Sequence, residues 1–106
     1  GDRELRTVLD LWLVGDELWL TRVAILHQLG WRADCDADWL YRACLARAAH
    51  KDFFIRKAIG WALRDHSKVD EDGVRRFVAD RADVLSPLSQ REALKWLERR
   101  AGRAPG

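Results

Sequence analysis

Methionine is absent from this 106-residue chain, proline occurs only at Pro87 and Pro105, and cysteine only at Cys35 and Cys44. Each scarcity excludes something. A chain that opens on Gly1 without any Met is expected to be trimmed, to carry a cloning remnant or to derive from a larger parent. So few prolines leave room for uninterrupted helices, since an interior proline costs a helix about 3 kcal/mol. Cys35 and Cys44 lie nine residues apart on what reads as one helix. Nine steps of about 100° put them on opposite sides, so they cannot bond to each other there. Reduced thiols of a cytosolic protein are expected. His27, His50 and His66 share no ligand spacing with the cysteines or with one another, so neither a metal nor a cofactor is expected. No apolar run approaches the roughly 18 residues that span a bilayer. Gly1-Asp2-Arg3-Glu4 has neither the basic region nor the apolar core of a signal peptide.

Apolar residues make up 48% and charged residues 34%, an ordinary globular balance, and Ala, Leu and Arg dominate. An all-α fold follows from these helix formers. The net charge of +2 is uneven: residues 1–50 carry six Arg against eight acids, residues 51–106 thirteen Lys and Arg against nine. An anionic partner is therefore expected on the second half.

Breaks at Gly15-Asp16, Gly30 to Asp34, His50 to Asp52, Ser67 to Asp70 and Asp83 to Pro87 predict six helices, at about 3–14, 17–29, 35–49, 52–66, 70–81 and 88–101. Asp16, Asp34, Asp52 and Asp70 are candidate N-caps. Residues 1–101 are expected to form one domain, with 102–106 a flexible tail. Trp19-Leu20-Thr21-Arg22-Val23-Ala24-Ile25 aligns with Phe53-Phe54-Ile55-Arg56-Lys57-Ala58-Ile59, and a weaker copy is Arg91-Glu92-Ala93-Leu94. The shared skeleton, Arg-x-Ala-(Ile/Leu), falls on the second helix of each pair. A period of that length predicts an α-solenoid of about three HEAT-like helical pairs, a right-handed superhelical fragment.

On the helix at 52–66, Ile55, Ala58, Ile59, Ala62 and Leu63 form an apolar arc, and Arg56, Lys57, Gly60 and Arg64 the opposite one, with Trp61 at its edge. Gly60 has no side chain, which lets a ligand approach the backbone or a neighbouring helix pack close. On the last helix Arg91, Lys95 and Arg99 form a basic ridge. Stacked second helices would set Arg22, Arg56 and Arg91 in a row about 8–10 Å apart, a spacing that suits a polyanion. Other readings of the same residues stay open: a solvated ridge, pairing of Arg22 with Asp10 or Asp16, and Trp61 as core. Trp12, Trp31, Trp39 and Trp96 read as packing residues, His27 and His66 as surface or core. Leu5, Val8, Leu9 and Trp12 line one side of the first helix, which predicts self-association.

Three segments, Trp19 to Leu29, Phe53 to Arg64 and Leu85 to Lys95, resemble the AlkD-like DNA alkylation repair family in order and spacing. The resemblance implies the C-terminal half of a metal-free DNA glycosylase. Such enzymes excise cationic N3- and N7-alkylated purines from double-stranded DNA by hydrolysing the N-glycosidic bond. Arg22 then corresponds to the arginine beside the lesion, and Trp61 to a tryptophan that cradles the modified nucleotide. Lys57, Arg64, Arg56, Arg91 and Lys95 are expected backbone contacts. A cytoplasmic protein working at the bacterial nucleoid is implied.

The family's catalytic aspartate belongs to a Trp-Asp-x-Val-Asp stretch, and nothing in Gly1–Leu18 matches it. Leu9-Asp10-Leu11-Trp12 has the wrong order. No catalytic residue is assigned in this chain, which is expected to bind without cutting on its own. A helical-repeat scaffold for proteins, and a non-catalytic family member that binds unusual DNA structure, are the competing readings.

Overall fold

A computed structural model describes residues 2–103, and among them the regular structure is entirely helical. The elements are α1 Asp2–Val14, α2 Leu18–Leu26, a 3-10 turn at Arg32–Asp34, α3 Ala37–Ala46, α4 Phe53–Ser67, α5 Glu71–Asp80 and α6 Pro87–Arg103. Five helix starts are fixed by side chains that accept from otherwise orphaned N–H groups. Asp52 Oδ1 accepts from Ile55 N at 3.1 Å and Asp70 Oδ1 from Gly73 N at 3.0 Å, as predicted. Ser86 Oγ accepts from Ser89 N at 3.0 Å, with Pro87 opening α6 where no N–H is needed.

The other two caps are shifted. Glu17, not Asp16, caps α2, and Asp36, not Asp34, caps α3. The second shift has a visible cause. The Gln28 side chain pins the backbone of Asp36, accepting from its N at 2.6 Å and donating to its carbonyl at 3.3 Å. The chain is thereby held extended at Asp36 and spends Arg32–Asp34 in a separate turn, with Arg32 at φ 53°. Cys35 accordingly lies outside α3, half-buried between the two elements, while Cys44 is fully buried, and both thiols are free. Three predicted helix ends also moved: α2 stops at Leu26 rather than 29, α3 at Ala46 rather than 49, and α6 runs on to Arg103.

The helices pair as α1/α2, α3/α4 and α5/α6, and the second members stack in the order α2, α4, α6. This is the predicted helical repeat. The Arg-x-Ala skeleton explains the stacking: Ala24, Ala58 and Ala93 are each 0% exposed, because a small residue there lets neighbouring helices close. Central α4 packs against α2, α3, α5 and α6, and buries Ile55, Ile59 and Leu63.

Polar ties between repeats supplement the core. Arg47 reaches back from the end of α3 to donate to the carbonyls of Leu13 (2.6 Å) and Gly15 (2.8 Å). Those carbonyls end α1, and a cation is favoured at a helix C-terminus. Gly30 N donates to Asp65 at 2.8 Å, and Trp39 Nε1 to Asp10 at 2.8 Å. On α1, Leu9 is buried and Trp12 packs on the core, so they do not belong to the predicted open strip; Leu5, Val8, Leu11 and Val14 are the exposed apolar residues.

Candidate nucleic-acid interface

The residues that carry charge chemistry collect where α2, α4 and α6 lie side by side. Arg22 projects from the middle of α2, whose remaining face is apolar. Its guanidinium is ringed by three aromatic faces: Trp19 at 5.6 Å, Phe54 at 5.7 Å and Trp61 at 6.0 Å from the ring centroids. The buried Nε has no hydrogen-bond partner, and Arg22 makes no ion pair among the described residues. It pairs with neither Asp10, which accepts from the Trp39 indole, nor Asp16. Cation–aromatic contacts offer roughly 0.5–1 kcal/mol each at exposed sites, which leaves the guanidinium's donors unused.

Trp61 is half-buried at the edge of α4, not sealed in the core. Its other neighbour is Lys57, whose Nζ sits 5.3 Å from the Trp61 centroid and 5.8 Å from that of Phe53. Lys57 and Arg64 flank Trp61 on adjacent turns, as the spacing predicted. Both also converge on Glu92 of α6: Lys57 Nζ donates to Oε1 at 3.3 Å, and Arg64 lies 3.8 Å from Oε2. Lys95 joins them at 4.0 Å. Burial alone would raise the Glu92 carboxyl. The hydrogen bond from Lys57 and the charges of Lys57, Lys95 and Arg64 outweigh it and hold the group below the usual carboxylate range.

Two predicted members behave differently. Arg56 is half-buried, and its Nε donates to the His50 carbonyl at 2.9 Å, fastening the loop that leads into α4. It does not stand in an open row with Arg22. Gly60, assigned by the wheel to the polar arc, is covered by α6: a Cβ there would meet Glu92 Cβ at 2.5 Å and the Ser89 carbonyl at 3.1 Å. Ser89 Oγ in turn donates to the Arg56 carbonyl at 2.8 Å. Arg91 and Arg99 are exposed on α6.

Sequence reasoning assigned no role to Trp19, Phe53 and Phe54, which are 62%, 54% and 58% exposed and wall the Arg22 and Lys57 sites. For Trp19 and Phe53 the signal was present in the repeat alignment, where an aromatic precedes two of the three arginines by three residues (Trp19 before Arg22, Phe53 before Arg56) and Leu88 stands before Arg91. It also assigned no role to Glu92, two of whose three partners come from a different helix. A groove lined by Leu18, Trp19, Arg22, Asp52, Phe54 and Ile55 opens beside the aromatic ring. Among the described residues no group of three His, Cys, Asp or Glu side chains could hold a metal ion, and no helix is long and apolar enough to cross a membrane.

The model of one protein family, described as DNA alkylation repair enzyme, matches residues 1–97. The chain belongs to that DNA alkylation repair family. A solved structure described as a predicted DNA alkylation repair enzyme from Enterococcus faecalis superimposes on it with a TM-score of 0.81 at 38% sequence identity. The match covers 90% of this chain and 44% of that one, so the chain spans less than half the length of this relative. No curated protein matches the chain.

Proposed function

We propose that this chain is the DNA-holding, C-terminal half of a metal-free DNA glycosylase that removes cationic N3- and N7-alkylated purines from duplex DNA. The observation that carries the reading is Arg22: a half-buried guanidinium with an unpartnered Nε, held by three aromatic rings instead of an acid. Such a group is set up to receive an anion, and the planar fork suits a phosphate. Lys57, Arg64 and Lys95 continue the positive surface across α4 and α6, with Arg91 beyond them on α6.

Trp61 supplies the second ingredient. Its ring already draws the positive groups of Arg22 and Lys57. The same π face would attract the positive charge of an alkylated purine, or the charge that develops on the sugar as the glycosidic bond breaks. Departure of the base needs a carboxylate to stabilise that charge and orient water. Asp10 is bound to Trp39, and Glu92 is enclosed by its own cations. Neither matches the aspartate of the family's Trp-Asp-x-Val-Asp stretch, so this reading assigns catalysis to a residue outside this chain, and the 106 residues alone bind without cutting.

The test has two arms. Duplex DNA should bind the chain with an affinity that falls linearly in log–log form as salt rises, and Arg22→Ala and Arg64→Ala should each weaken it. A parent protein containing this chain should release 7-methylguanine or 7-methyladenine from alkylated DNA. Affinity indifferent to salt and to both substitutions would favour a protein-binding scaffold instead. A parent that binds DNA but releases no base would leave a DNA-structure-binding protein.

A further inference from the structure

The most buried charged group on this surface is an acid. The Glu92 side chain is only 10% exposed, yet Lys57, Arg64 and Lys95 approach its two carboxylate oxygens from two helices, at 3.3, 3.8 and 4.0 Å. Oε2 is buried and makes no hydrogen bond, so it is compensated by charge rather than by a dedicated donor. The carboxylate can occupy that point because position 60 has no side chain; α6 rides directly over Gly60 with Glu92 Cβ against it. A glycine on α4 and an acid on α6 thus form one device. The cations keep outward surface: their side chains are 28%, 33% and 44% exposed.

We propose that Glu92 is a positioning residue of the DNA-binding surface: its buried carboxylate gathers Lys57, Arg64 and Lys95 around one point, turns their outer N–H groups toward a DNA phosphate, and cancels one of their three charges. The inference rests on the DNA reading above and adds a residue to it. Cations gathered in advance lose less side-chain freedom on binding. The cancelled charge means that the trio releases counterions for about two net charges, not three.

The experiment is a titration of the full 106-residue chain with a duplex oligonucleotide over a series of salt concentrations. Glu92→Gln keeps the shape and removes the charge, and should steepen the log–log salt slope by about 0.9. A purely structural role would not move that slope, and an unchanged slope in a folded Glu92→Gln protein overturns the proposal. Should repulsion among the freed cations prevent folding, the double variant Glu92→Gln/Lys57→Gln decides. It should return the wild-type slope, because one anion and one cation leave together. A slope shallower than wild type by about 0.9 would show Lys57 acting independently of Glu92 and overturn the proposal. A wild-type chain that fails to bind the duplex overturns the DNA reading itself, an outcome distinct from either.

Discussion

Replacing Gly60 by Ala tests the packing on which the whole surface is built, because the two sides of the argument predict opposite signs. A glycine in an exposed helix interior costs about 1 kcal/mol relative to alanine, so on a free α4 face the substitution would stabilise. Here the new Cβ would sit 2.5 Å from Glu92 Cβ and 3.1 Å from the Ser89 carbonyl oxygen. Neither is the far end of a flexible side chain: one is the first atom of a buried residue, the other backbone. Reaching ordinary carbon–carbon contact of about 3.5–4.0 Å requires α6 to back away from α4 by about 1 Å. That movement opens the seal made by Ala93 and Leu97, both buried against the bundle. Overpacking of this kind costs about 1–3 kcal/mol, against which the propensity gain is set. The expected net is a loss of about 1 kcal/mol, or a Tm lower by roughly 4–8 °C for a domain of this size. Thermal and urea unfolding followed by helical circular dichroism would read it. A Gly60→Ala protein as stable as wild type, or more so, would refute the close α4–α6 approach.

Arg47→Ala should cost about 1–3 kcal/mol in the same assay, because it strips two buried-side partners from the carbonyls of Leu13 and Gly15; a loss below about 0.5 kcal/mol would mean that water replaces the clamp. Arg22→Ala should cost at most about 1.5–3 kcal/mol of stability, the sum of three ring contacts at about 0.5–1 kcal/mol each, while making the DNA salt slope shallower by about 0.9; the two effects are measured on the same preparation. Stability should decline in two stages as pH falls. Burial lowers the His27 pKa, so below the ordinary histidine value of about 6.5 the unfolded chain takes up protons first and the native state loses ground. The backbone hydrogen bond from Trp39, then the Arg6 side chain, lower Asp36, and Glu92 is lowered as well. Their contribution is present above the ordinary carboxylate range and is lost as pH falls through the lower folded values. A Tm that stays flat from neutral pH to below about 4 would contradict these assignments.

Helix number, pairing and the stacking of second helices were legible because they rest on local chemistry: caps, scarce prolines and a repeated alanine. All three skeleton alanines proved fully buried. Trp61 and the Lys57–Arg64 flank were legible for the same reason, since their adjacency is fixed by helical spacing alone. What failed was whatever depended on a second neighbour. A wheel grants a helix one buried side, but α4 is covered from four directions; of the two readings open for Gly60, a ligand at the bare backbone or a helix packed close, the second holds, with α6 as the helix. Arg56 looked equivalent to Arg22 in the alignment, yet it donates to the His50 carbonyl, a bond that Arg22 does not make to Asp16 at the corresponding place in the repeat. The start of α3 slipped because Gln28, eight residues upstream, holds Asp36 extended. Glu92 was invisible as a site because its three partners are cations that composition counted only as positive charge.

On the proposed reading, DNA lies along the edge formed by α2, α4 and α6. Titrating the isotopically labelled chain with duplex DNA and following amide, arginine and indole shifts by NMR tests it directly. The largest changes should fall on Arg22, the Trp61 indole, Arg64 and Lys95, while the groove between α3 and α5, lined by Asp38, Tyr41, Arg42, Phe77 and Arg81, stays unperturbed. Shifts concentrated in that second groove, with the Trp61 indole unmoved, would contradict the account.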